Sequence, residues 1–281
     1  MIHRLSSLFP VLFLAVALTG AALAGPARAA DRDRIEAFLT TTGFDVALDS
    51  IALSAESAPA MLGRDAGDFG AQWTRLADRV FDTGAMHEMA VGILTETLDQ
   101  EDLAHAVEFY AGDLGQRLVV AENAAHMMRE GEGKLDQGQE IFAALVADGS
   151  PRVGLFQRMN DAISGDDSAV RAIEEIQVRF LMAASAAGVL DRPLDEGALR
   201  AALAEGRDAL RIELRANSLA GAAFTYRDFS DDDLRAYAEA LEHPRMRRVY
   251  ELLNAVQHEI MANRFEVLAA RMADLDPGQE L

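Results

Sequence analysis

The sequence predicts an all-α protein: two tandem, degenerate helical repeats, built as helix-hairpin bundles, after a cleaved signal peptide. Three observations predict it. Apolar residues recur at three- and four-residue spacing along most of the chain. Aromatics make up only 6% of residues and β-branched runs are scarce, so strand signals are weak. Residues 98–123 are echoed in residues 229–254. At a constant offset of 131, Asp102/Asp233, Leu103/Leu234, Glu108/Glu239, Arg117/Arg248 and Asn123/Asn254 coincide. Each copy opens with an acidic cap, runs as an amphipathic helix, breaks, and restarts as a longer helix. A fixed-period echo of this kind marks a repeat architecture. The division that follows is a signal peptide at 1–29, repeat one at 30–147, a linker at 148–151, repeat two at 152–275 and a tail at 276–281.

The N-terminal segment has a short basic start, His3 and Arg4, then an almost unbroken apolar run from Leu8 to Leu18. Ala27-Arg28-Ala29 places small residues at the positions a signal peptidase requires, so the cut is expected between Ala29 and Ala30. The apolar core is short for a bilayer span. Export through a cleaved signal predicts a periplasmic protein with no stable membrane insertion.

The helices then follow in order. Ile35, Phe38 and Leu39 mark one from Asp31 to Thr41, ended by Gly43. Val46, Leu48, Ile51 and Leu53 mark a second, with a break at Ala58-Pro59 and from Gly63 to Gly70. Trp73, Leu76, Val80 and Phe81 mark a third, broken at Gly84 and followed by Met86, Met89, Ile93 and Leu94. Asp99 is an N-cap with Asp102 as a shortened capping box. Leu103, Ala106, Val107 and Tyr110 complete that helix, Ala111-Gly112 stops it, and Asp113 caps a longer successor. Gly131-Glu132-Gly133 loosens or ends the successor before Ile141, Phe142 and Leu145. Asp148-Gly149-Ser150-Pro151 is the linker. Val153 to Ile163 comes next, then a break at Ser164-Gly165 and a long helix to about Ala187. Asp195 caps one helix running toward Leu219. Ser230 and Asp233 form a second capping box. His243-Pro244 ends that helix and opens the last, with proline at the tolerated first position.

The charge bounds the partners. The chain carries 46 acids against 26 bases, a net charge of −20. Removing residues 1–29 takes away Arg4 and Arg28 and no acid, so the remainder is more negative still. Such a surface repels nucleic acid and anionic membrane faces. There is no cysteine, hence no disulfide and no thiol chemistry. Lys134 is the only lysine, which codon bias explains.

One stretch, Phe109-Tyr110-Ala111-Gly112-Asp113-Leu114-Gly115-Gln116, resembles the Phe-Tyr-x-Ser-Pro-x-Gly-Lys/Gln signature of a bacterial exported family, domain of unknown function 2059. Ile35 to Gly43 is similar to that family's leading helix, which ends in Thr-Gly. The resemblance covers residues 31–130. In the second copy Ala240-Leu241 replace Phe-Tyr and Met246 replaces the glycine, while Pro244 stands at the family's proline. The resemblance implies an all-helical, exported, Gram-negative protein and brings no catalytic residues with it.

Candidate residues follow from the echo. Phe109, Tyr110 and Gly115 are a packing motif of the helix hairpin, and the first candidates for a binding groove. Glu108 with Arg117, and Glu239 with Arg248, are spaced to bridge the arms of a hairpin. Asn123 and Asn254 are placed for interhelical hydrogen bonds. His87-Glu88 and His258-Glu259 lack the second histidine four residues on that a metalloprotease helix needs. Glu122 and His126, like His105 and Glu108, are spaced for an ion pair or two ligands, and His87, His105 and His126 would make a zinc site only if three helices brought them together. The methionines lie at core spacing. No nucleophile elbow, phosphate loop or dinucleotide fingerprint is present. The chain therefore predicts no catalytic residues, no metal and no cofactor. Its expected role is a non-enzymatic binding or protein-interaction module, whose partner is a periplasmic protein or a small apolar ligand. The alternatives are an envelope hydrolase or metal-dependent enzyme using histidines and acids, and a carrier of an apolar ligand.

Overall fold

The computed structural model describes residues 31–62, 70–128, 133–163, 166–190 and 192–275. The signal peptide with its cut at Ala29, the break from Gly63, Gly131 and Glu132, the Ser164-Gly165 break and the tail lie outside these residues. Among the described residues there are helices and no β-strand.

Capping side chains set several helix starts. Asp31 accepts the Asp33 amide and opens α1 (Arg32–Thr42), which ends at Gly43. Helix α2 (Phe44–Ser54) follows at once and tightens into a 3₁₀ segment, Ala55–Leu62, that carries Pro59. Helix α3 is Gly70–Val80. The break expected at Gly84 falls earlier: Asp82 accepts the Ala85 amide at 2.8 Å and starts α4 (Thr83–Thr97), with Gly84 inside its first turn. Asp99 caps α5 (Gln100–Tyr110) through the Glu101 amide at 2.7 Å. Asp102 does not close a capping box; its carboxylate faces Arg245 at 3.3 Å. Asp113 is likewise not a cap. Gly112 holds that position for α6 (Asp113–His126), and the Asp113 carboxylate accepts from Arg117, one turn on, at 3.1 Å.

Helix α7 (Lys134–Ala147) ends in residues 148–151, where the Ser150 and Gly149 amides return to the carbonyls of Leu145 and Val146. This is a tight helix-terminating turn, and α8 (Arg152–Ile163) packs back on α7. Helix α9 is Asp166–Ala186. The single helix expected after Asp195 is two: α10 (Glu196–Glu205) and α11 (Arg207–Thr225), parted at Gly206. The split lets each follow a different neighbour, α10 lying on α9 and α11 chiefly on α7. Ser230 and Asp233 form the capping box of α12 (Asp231–Glu242), and Pro244 opens α13 (Pro244–Arg271).

The last helix is the axis of the molecule. It packs most extensively on α9 and also on α3, α4, α5, α8 and α12. Its buried stripe runs Met246, Val249, Leu253, Val256, Ile260, Phe265 and Leu268. The bidentate grip of Arg179 on Glu259 and its bond to Glu266 tie α9 to it. One hydrophobic core extends from Ile35 to Met272 and draws on both halves of the chain. The hairpins α5–α6 and α12–α13 lie against each other and exchange arginines. Arg117 of α6 reaches Asp233 of α12 at 2.8 Å, while Arg245 of α13 reaches Asp102 and Glu101 of α5. His105 stacks on His243 at 4.1 Å across the same junction.

Candidate functional site

A cavity of about 340 Å³ opens where the two hairpins meet α8, α11 and the α1–α2 junction. Its aromatic lining has an unusual origin. The chain has four tyrosines, and all of them, Tyr110, Tyr226, Tyr237 and Tyr250, line this one cavity. They arrive from the end of α5, the end of α11, the middle of α12 and the second turn of α13. Tyr237 and Tyr110 are buried, and Tyr226 and Tyr250 half-buried.

The hydroxyls form a connected network around one carboxylate. Tyr226 and Tyr237 both donate to Glu122 Oε1, at 2.7 and 2.9 Å. Tyr250 bonds Tyr237 at 3.1 Å and also bonds Tyr110. The rings brace one another: Tyr226 meets Tyr237 edge-on at 5.8 Å, and Phe109 stacks on Tyr237 at 5.9 Å. Burial pushes the Glu122 carboxyl above its ordinary value, and the two tyrosine donors hold that rise back. Burial, with the nearby carboxylate, pushes the hydroxyls of Tyr110, Tyr226 and Tyr237 well above the ordinary phenol value. They are therefore donors, not phenolates, at neutral pH.

The cavity changes character along α6. One turn beyond Glu122, His126 lies on its wall, and beyond it Lys134, the only lysine of the chain. The Lys134 ammonium donates to the Ala125 carbonyl at 2.9 Å. Burial lowers its pKa, and burial followed by the neighbouring lysine lowers that of His126. Between the two ends the walls are apolar, from Phe44, Phe156, Met159, Ile163 and Leu253, with amides from Asn123, Asn160 and Asn254. Ser218 donates to Asn160 at 2.6 Å, and Asn254 donates to the Ile163 carbonyl at 2.7 Å. Pockets of this kind, mostly apolar with a few convergent polar groups, are where small molecules bind.

The residues singled out in the sequence divide between this site and the scaffold. Tyr110 is in the cavity wall, and Phe109 backs it. Gly115 is a packing residue: a Cβ there would lie 2.6 Å from Tyr110 Cα and against the Phe109 carbonyl, so only glycine lets α6 cross the end of α5 so closely. Asn123 and Asn254, equivalent in the echo, both line the cavity. Arg117 turns to Asp113 and Asp233, and Arg248 to Glu251 at 3.3 Å, whereas Glu108 and Glu239 are exposed. His87 bonds Asp45 at 2.7 Å, His105 stacks on His243, and His126 stands at the cavity. The three thus have three different surroundings, and among the described residues no three histidines or acids group as a metal-holding set. Tyr226, Tyr237, Tyr250 and Lys134 were not singled out, because no spacing along the chain links them.

No helix among the described residues is long and apolar enough to cross a membrane. Comparison with curated proteins and with solved structures gave no match. The family comparison did: residues 84–143, which run from α4 into α7 and supply Tyr110, Glu122, His126 and Lys134 to the cavity, match the model of domain of unknown function 2059, an uncharacterized protein conserved in bacteria.

Proposed function

We propose that this protein is a non-enzymatic, exported binding module that holds a small molecule between its two hairpins. One observation carries the reading. Glu122, all four tyrosines and the only lysine are scattered along the sequence, yet line a single cavity. Core packing alone gives no reason to gather every tyrosine at one cavity, since each buried hydroxyl then needs a partner. The duplication supports the same reading. The hairpins α5–α6 and α12–α13 lie against each other through Arg117–Asp233 and Arg245–Asp102, and the cavity sits at their junction. The apolar N-terminal run and the Ala27-Arg28-Ala29 site support export to the periplasm. Recovery of the protein only from the cytoplasm, with Met1 retained, would refute export.

Binding is tested by native mass spectrometry of protein taken from periplasm, together with thermal-shift screening of small metabolites. The expected result is a bound mass or a stabilising compound whose effect weakens in Glu122→Gln and Tyr226→Phe. Only the bare chain mass, with no compound raising the Tm, would sink the proposal. A second reading treats Glu122 as a general acid, because its carboxyl is raised within a cavity and His126 lies one turn away. It requires turnover of some substrate that Glu122→Gln abolishes.

A further inference from the structure

The cavity lining combines two unlike charged groups with apolar walls. At one end Glu122 accepts both tyrosine hydroxyls on Oε1. Glu122 itself lines the cavity. At the other end stands the Lys134 ammonium, held on the Ala125 carbonyl. That carbonyl belongs to a residue three positions beyond Glu122 on α6, a backbone rise of about 4.5 Å along the helix axis. Among the described residues, His126 is the only other charged-type side chain in the lining. A neutral apolar ligand would leave both ends unanswered. A simple amine would answer Glu122 but would place its own charge in the same cavity as Lys134, and a simple carboxylate would suffer the reverse. Only a molecule with both charges matches both ends.

Building on the reading of the cavity as a ligand site, we propose that it takes a zwitterionic small molecule with an apolar body. Its ammonium lies against Glu122 and the rings of Tyr226 and Tyr237, and its carboxylate against Lys134 and His126. The aromatic faces add to the attraction for the ammonium. Phe156, Met159 and Leu253 cover the body between the two ends.

Four probes of one length test this on the intact protein by isothermal titration calorimetry: 6-aminohexanoate, hexylamine, hexanoate and hexanol. The expected result is that 6-aminohexanoate binds at least about tenfold tighter than each of the others. Glu122→Gln should then reduce it to the level of hexanoate, and Lys134→Met to that of hexylamine. Both variants are checked for wild-type circular dichroism, and Tyr226→Phe, which weakens the Glu122 end without touching its charge, serves as the milder second variant. Hexanol binding as well as 6-aminohexanoate overturns the zwitterion while leaving the cavity a ligand site. Equal binding by hexylamine or hexanoate overturns one of the two ends, and with it the proposal. Failure of all four probes to bind counts against both the ligand class and the cavity reading, and the metabolite screen above separates the two.

Discussion

Burial works against the Glu122 carboxylate while two tyrosine hydroxyls work for it, and the balance leaves its pKa raised. A carboxyl with a folded-state pKa above its unfolded value favours the fold while neutral. That contribution is lost as pH rises through the folded value, so the ionised group destabilises the empty protein at neutral pH. Glu122→Gln keeps an oxygen for the hydroxyls and removes the charge. It should raise the Tm at pH 7, and the gain should shrink as pH falls toward 4.5. Thermal unfolding of both proteins across that range checks the sign; a lower Tm for Glu122→Gln at pH 7 contradicts it. At this scale the sequence was only partly legible. Tyr110 and the two asparagines stood out because they sit in, or repeat with, the hairpin pattern. Tyr226, Tyr237 and Tyr250 did not, because they come from three other places in the chain and only tertiary packing brings them to Glu122. Lys134 was visible as a compositional oddity, and composition has no direction in space.

Helix boundaries were more legible, since capping is local chemistry. Asp99, Asp195 and Ser230 cap as the sequence suggested. Asp102 and Asp113 did not, because long-range or neighbouring arginines took their carboxylates. The divide at Gly206 was missed because an apolar stripe continues through it while the two segments pack on different helices. The capping box at Ser230 is also an acid sensor. Arg117 and Ser230 hold the Asp233 carboxyl down to about 2, below its ordinary 3.8. A depressed carboxyl stabilises above its unfolded pKa, and that contribution is lost as pH falls through the folded value. Asp233→Asn should therefore cost about 1 kcal/mol at pH 6, with the gap to wild type closing between pH 4 and 2 in urea titrations. At the other hairpin, Gly115→Ala must push α6 off the end of α5, because the clash is with backbone. A loss of about 1–3 kcal/mol is expected from such overpacking. Weakened ligand binding should accompany it, since Tyr110 moves with the backbone; unchanged stability would mean the crossing is looser than described.

On the scale of the whole molecule, the all-helical class was legible from periodicity. How the hairpins meet was not, because a repeat pattern describes each unit and not the face it turns to its neighbour. With one core shared by both halves, α7 packed on α11, and α3, α4 and α5 packed on α13, the chain should unfold in a single cooperative transition. Residues 31–147 and 152–275 expressed apart should each lack a sharp melt, since each loses the apolar face that covers its core. Two separate calorimetric transitions in the intact chain would contradict this. The gathering of every tyrosine and the only lysine at one cavity has a further consequence, for observation rather than for binding. Intrinsic tyrosine emission from this protein has a single structural source, distinct from Trp73 on α3. An amine-selective label has one side chain to find, and burial makes that amine more reactive near neutral pH than an exposed lysine. The chain carries its own reporter: whatever fills the cavity should both perturb the tyrosine signal and shield Lys134 from modification, with no engineered probe.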